Sequence, residues 1–132
     1  MKVRIGVSLT GSDPAEFAAR VDELEDRGID SLWLSELVYS PLVEPFIGMA
    51  YALSRTTTLK VGTGVAVLPG RSPILVAKQL ASLGRLAPKR VLPVFGLAPA
   101  RKQERAAFRF RKVGMVQCRR ASAARCSTSR SS

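Results

Sequence analysis

Two glycines one residue apart, Gly62 and Gly64, stand inside a run that otherwise has strand character, Leu59-Lys-Val-Gly-Thr-Gly-Val-Ala-Val-Leu-Pro-Gly70. Glycine weakens a strand interior, so it marks a bulge, a close packing neighbour or a ligand brought against the backbone. Two readings therefore stand side by side here: tight packing against a neighbouring helix, and approach of a ligand. The second chemical candidate is Glu36, the carboxylate nearest the predicted strand ends. A carboxylate there can move a proton, orient a ring or hold a backbone amide. Other chemistries find little support. The chain contains no histidine, and Cys118 and Cys126 match no zinc-ligand spacing. No metal is expected. The acidic run Asp22, Glu23, Glu25 and Asp26 reads as the solvated face of a helix, and Met49 as core filler.

The elements that must position these residues recur. A first strand is predicted over Val3–Leu9, with Ile5, Val7 and Leu9 alternating against Arg4, Gly6 and Ser8. Asp13-Pro14-Ala15-Glu16 is a capping-box helix start, and Gly28 closes that helix. Phe17, Val21 and Leu24 form its apolar stripe. The second strand is Ser31–Ser35, followed by a helix opening at Glu44-Pro45 with Phe46, Met49 and Leu53 inward. Leu59–Gly70 reads as one strand leading into a turn. Ser72 and Pro73 start a third helix whose inner face carries Val76, Leu80 and Leu83, and Val91–Gly96 is a fourth strand. Strand starts near Val3, Ser31, Lys60 and Val91 are separated by 28, 29 and 31 residues. Regular βα units predict parallel strands, in either a closed (β/α)8 barrel or an open doubly wound sheet. The open dinucleotide-binding class would need a third glycine at a strand-to-helix turn, and that fingerprint is missing.

The 132 residues suffice for one domain. The net charge of +11 is uneven. Residues 1–100 hold 11 basic and 9 acidic side chains, whereas residues 101–132 hold 10 basic and 1 acidic. The basic character thus belongs to the tail. No secretory leader and no membrane-spanning apolar run is present, which predicts a cytoplasmic protein with reduced thiols.

Several stretches together resemble the luciferase-like monooxygenase family, which includes flavin- and F420-dependent barrel oxidoreductases. They are Gly28-Ile-Asp-Ser-Leu-Trp-Leu-Ser-Glu36, Leu59-Lys-Val-Gly-Thr-Gly-Val65, Arg71-Ser-Pro73, Leu80-Ala-Ser-Leu-Gly-Arg-Leu86, and Arg90-Val91 leading to Gly96. Their order spans residues 1 to about 107. The resemblance implies a TIM barrel with a ring of F420 or FMN across the C-terminal ends of the strands, acting on a small-molecule substrate. It implies a bulge in the third strand, often with a non-proline cis peptide, backing the ring at Gly64-Val65. The cofactor-binding positions so implied are Glu36, Thr63, Gly64, Val65, Leu97 and Ala98. Departures are equally specific: Leu37 stands where some F420-dependent members have histidine, Ala98-Pro99-Ala100 where they have a loop glutamate, Gly84 where the family has Asp, and Pro88-Lys89 in place of a glycine turn. No general acid or base carries over.

A TIM barrel takes about 250 residues and eight strands. Four predicted βα units amount to the N-terminal half, residues 1–107, with open strand edges and without the phosphate-holding loops that follow strands seven and eight. Weak cofactor affinity and little activity of the isolated chain are the expectation. Residues 108–132, rich in Arg, Ser and Ala without period, are expected to be a disordered basic tail. A frame shift after Phe108 would account for it. Two further readings compete with the oxidoreductase: a truncated product pairing with another half barrel through its edges, and non-specific nucleic-acid binding by the tail, with Phe108 and Phe110 stacking on bases. An unselected solvated tail is preferred to the latter, since no groove-reading fold accompanies it.

Overall fold

The apolar runs and helix starts resolve into β1 (Gly6–Leu9), α1 (Pro14–Asp26), β2 (Ser31–Leu34), α2 (Pro45–Arg55), β3 (Lys60–Thr63), β4 (Ala66–Val67), α3 (Pro73–Leu86), β5 (Val91–Leu92) and β6 (Phe95–Gly96). The structure is a computed structural model that describes residues 3–9, 13–99 and 101–105. All these elements lie within the unit of residues 1–99. In the second unit, residues 100–132, the described residues form one short helix, α4 (Lys102–Arg105). The tail expected over 108–132, with both cysteines, lies outside the described residues.

A four-stranded sheet has the order β1-β2-β3-β5, and every pair in it is parallel. The register aligns Ser8 with Trp33 and Trp33 with Gly62. Alternation then sends Leu32, Leu34 and Val61 to the face that the helices cover. They meet Phe17, Val21 and Leu24 of α1, Phe46, Met49 and Leu53 of α2, and Val76 and Leu83 of α3 in one core. Val21, Leu32, Met49, Leu59 and Val61 are fully buried, each contributing about 1.5–3 kcal/mol of transfer free energy. The predicted apolar stripes are these faces.

Several boundaries differ from the expectation. The first strand is shorter than Val3–Leu9, because its ladder begins with Gly6 opposite Ser31, and Ile5 is left 53% exposed. Leu59–Gly70 is not one strand but two. β3 ends at Thr63, a cis peptide bond joins Gly64 and Val65, and β4 pairs with β6 in a separate two-stranded parallel sheet. Val91–Gly96 divides likewise around Pro93-Val94, where proline offers no ladder donor. Thr63 stitches the two breaks together: its hydroxyl donates to the Val94 carbonyl (2.6 Å) and accepts from the Val94 N–H (2.7 Å).

The helix ends follow their signals with three corrections. Asp13 caps α1 by accepting from the Ala15 N–H (2.8 Å), but Glu16 turns to Arg20 rather than completing a capping box. Ser72 occupies the N-cap of α3 without a side-chain cap bond. The acidic run is not wholly a solvated face. Glu25 accepts from the Thr57, Thr58 and Leu59 N–H groups and the Thr57 hydroxyl, so it seats the start of β3. Asp22 binds Arg55 of α2. Gly28, at φ 68°, ends α1 as predicted, with Gly28 N–H bonded to the Glu25 carbonyl and Ile29 N–H to that of Leu24.

Candidate functional site

Parallel strands bring their C-terminal ends to one side, so β2, β3 and β6 deliver Ser35-Glu36, Gly64-Val65 and Leu97-Ala98 to a common ledge. The backbone of this ledge is tied strand to strand. The Gly64 N–H donates to the Leu34 carbonyl (2.7 Å), the Ser35 hydroxyl to the Gly64 carbonyl (3.0 Å), and the Glu36 N–H to the Val65 carbonyl (3.2 Å). A Cβ on Gly96 would fall 2.9 Å from Val65 Cγ2 and 3.7 Å from the Ala98 carbonyl oxygen, so the Val65 side chain seats on Gly96 beside Ala98. Gly64 and Ala98 are exposed, Val65 is 39% exposed and Leu97 85%. The result is an apolar, uncharged shelf built on a fixed backbone.

Thr63 and Glu36 stand apart from the other four predicted positions. Thr63 is fully buried, and its hydroxyl is engaged with Val94 on both sides. Glu36 is turned inward. One carboxylate oxygen accepts the Val67 N–H, and the other accepts from Arg71 Nη2 (2.7 Å). Of the roles open to it from the sequence, the geometry shows the hold on a backbone amide.

The glycine pair divides into two uses. A Cβ on Gly62 would lie 2.4 Å from the Leu92 carbonyl oxygen and 2.8 Å from Trp33 Cζ3. Its close neighbour is therefore the Trp33 indole and the adjoining strand, not a helix. Trp33 also lies against Gly6, and its Nε1 donates to Ser31 Oγ (3.1 Å). Gly64, by contrast, meets only Trp33 atoms at ordinary contact distance and leaves its outer surface open.

Arg71 is the member of the site that sequence reasoning missed: it was quoted with Ser72 and Pro73 at a helix start and among the stretches that carry the resemblance, without a role of its own. Its Nη2 reaches Glu36 and also Glu44 Oε1 (2.6 Å), the N-cap of α2, and its guanidinium lies 4.7 Å from the Phe46 ring centroid. Phe46 in turn stacks on Phe95 of β6 at 6.4 Å between centroids. The available signal was charge: Arg71 is the single basic residue between Lys60 and Lys78, while the segments preceding it carry Glu36 and Glu44. Among the described residues no group of histidine, cysteine or carboxylate side chains could hold a metal ion. No helix among them is long and apolar enough to cross a membrane.

The shelf fits a planar ring better than an anion. Val65 and Leu97 offer apolar contact, Gly64 lets a flat group approach the backbone, and none of Gly64, Val65, Leu97 and Ala98 carries charge. Residues of this kind could back a flavin or deazaflavin ring. Its phosphate would need cationic groups from elsewhere, which a barrel supplies after its seventh and eighth strands.

Comparison with known proteins bears on the fold and the family. A relative from Escherichia coli (strain K12), described as a luciferase-like monooxygenase, is 36% identical over 84 residues, covering 60% of this chain and 24% of the relative. The chain thus spans about a quarter of the length of the curated relatives it matches. Among solved structures, the FMN complex of the oxygenating constituent of 3,6-diketocamphane monooxygenase from Pseudomonas putida superposes with a TM-score of 0.72 at 18% identity, over 81% of this chain and 32% of that one. The coenzyme F420-dependent tetrahydromethanopterin reductase of Methanopyrus kandleri gives 0.65 at 22% identity, over 75% and 28%. At such identities these likenesses establish the fold alone: the four βα units are part of a TIM barrel of the luciferase-like type. The family model for luciferase-like monooxygenases matches residues 2–111, and the chain belongs to that family.

Proposed function

We propose that this chain contributes the N-terminal part of an oxidoreductase site in which reduced flavin or F420 lies on the Gly64-Val65 and Leu97-Ala98 shelf. The observation that carries the reading is the paired break of the third and fourth staves. It turns two strand ends into an exposed, uncharged ledge whose backbone is fixed by Thr63, Ser35 and Glu36. The cofactor, when bound, supplies hydride or oxygen transfer to a small substrate, and the protein supplies the surface and its orientation. Gly64 and Val65 would back the ring, and Leu97 would pack on it. Thr63 and Glu36 support that surface from behind.

The test is titration of FMN and of F420 into the chain, read by cofactor fluorescence and by emission of Trp33, the only tryptophan. Weak, saturable binding that Leu97→Asp abolishes is expected. Absence of any response up to the solubility limit of both cofactors overturns the reading.

A second reading follows from the strand order. β1 and β5 are the outermost strands of the four-stranded sheet among the described residues, and parallel edges of this kind accept further parallel strands. Association through these edges predicts a sedimentation coefficient that rises with concentration. A fixed monomer over the accessible range removes it.

A further inference from the structure

We infer that Arg71 is a positioning residue for the cofactor shelf, acting through Glu36 on the backbone of β4. The inference rests on the reading of that shelf as a ring-binding surface.

The β4 edge poses a specific problem. The Ala66 N–H bonds to the Val94 carbonyl and the Leu68 N–H to that of Gly96, both across to the β6 side. The intervening Val67 N–H points the other way, and Val67 is 2% exposed. A buried amide without an acceptor is costly, and no strand among the described residues lies there to take it. Glu36 fills the place with a carboxylate oxygen.

A carboxylate drawn into that position needs a counter-charge. Arg71 provides it from the segment before α3, at 2.7 Å from the second Glu36 oxygen, with the Glu36 and Arg71 side chains 12% and 18% exposed. The same Nη2 also meets Glu44, whose other oxygen accepts the Ile47 N–H at the start of α2 (2.9 Å). The guanidinium face rests on Phe46, which stacks on Phe95 of β6. One planar cation thus joins the end of β2, the start of α2, the β4–β6 ladder and the entry to α3. A planar fork that hydrogen-bonds along its edge while stacking on its face is arginine chemistry that lysine does not reproduce. Replacing Arg71 by an apolar residue would leave two carboxylates facing each other across the gap. Glu36 would then swing toward water and release the Val67 N–H, and the Glu36 N–H link to the Val65 carbonyl would go with it.

The test compares Arg71→Met, Arg71→Lys, Glu36→Gln and the Arg71→Met/Glu36→Gln double variant by two independent measurements. The first is amide hydrogen exchange in the free chain. In Arg71→Met the Val67 amide should exchange at least about tenfold faster than in the parent, the weight of a charge-assisted hydrogen bond, while the Val61 amide, bonded to the Arg90 carbonyl, keeps its rate. Equal acceleration of Val61 and Val67 means general destabilisation, and an unchanged Val67 rate means that Arg71 does not hold Glu36. Either result overturns the inference. The second measurement is the dissociation constant for FMN and for F420. Arg71→Met should weaken binding about tenfold, Arg71→Lys by less, and the double variant by no more than Arg71→Met alone, because both changes break one linkage. Binding as tight in Arg71→Met as in the parent overturns the inference. If the parent chain binds neither cofactor, the reading of the shelf falls, and the exchange measurement still decides the role of Arg71.

Discussion

Glu25 sits in an environment unlike that of a surface carboxylate. Burial works to raise its pKa, but the Thr57 hydroxyl and the Thr57, Thr58 and Leu59 N–H groups outweigh it and hold the value down to about 2, from a usual 4.5. A carboxylate whose pKa is depressed by folding stabilises the fold above its unfolded-state value, and that stabilisation is lost as pH falls through the folded one. The chain should therefore lose stability between about pH 4.5 and pH 2, and Glu25→Gln should flatten this part of the acid limb in urea titrations followed by Trp33 emission. Asp22 contributes in the same direction, its pKa lowered by the hydrogen bond from Arg55. Glycines give a sharper contrast at this scale. Gly62→Ala would set a methyl group 2.4 Å from the Leu92 carbonyl, forcing β3 and β5 apart, and should cost about 1–3 kcal/mol in urea unfolding. Gly84 lies within α3 with nothing within 4 Å of an added Cβ, so Gly84→Ala should raise stability by about 0.5–1 kcal/mol.

At the scale of elements, the joints between helices and strands rest on long polar side chains rather than on the apolar faces alone. Arg90, just before β5, donates to the carbonyls of Leu53 (3.0 Å), Thr56 (2.9 Å) and Leu59 (3.3 Å) and to the Thr56 hydroxyl (3.1 Å). It satisfies the open C-terminal end of α2 and aligns that end with the last stave of the sheet. Arg90→Ala should lower the unfolding free energy by about 2 kcal/mol, with Arg90→Lys recovering only part, since a point donor cannot span several carbonyls. The positions of helices were legible in the sequence because caps and apolar stripes are local: Asp13, Glu44-Pro45 and Gly28 act where they stand. The strand breaks were not. β-branched residues continue through Val65 and Val67, and nothing between Val91 and Gly96 except Pro93 distinguishes one straight strand from two short ones. The strand glycines marked Gly62 and Gly64 as candidates for a bulge, but only the resemblance to a family placed it at Gly64-Val65.

At the scale of the molecule, the described residues of the unit 1–99 place four parallel strands under three helices, with the C-terminal strand ends on one rim. On the proposed reading, the rim rather than the helix-covered face or the opposite strand ends is where a ligand would meet the backbone. The arrangement also accounts for Trp33, whose indole spreads over Gly6 and Gly62 on the face away from the helices. Substituting Trp33 by Leu should leave the helix-side core intact while loosening the sheet's other face. The expected readout is faster exchange of the Gly62 and Trp33 strand amides with little change at α2.

Local chemistry in the chain was sufficient to determine the βα repeat, the helix starts and inner faces and the parallel sense of the strands, because each rests on spacing within about 30 residues. The family resemblance rests instead on the order of several stretches along residues 1 to about 107. What the carboxylates do was decided only by tertiary structure. Glu25 and Glu36 are chemically alike in sequence, yet one seats the entry to β3 and the other joins Arg71 to the Val67 amide, across separations of 31 to 35 residues. A side chain's partners are set by which strand ends the fold brings together, and a one-dimensional pattern carries no record of that meeting.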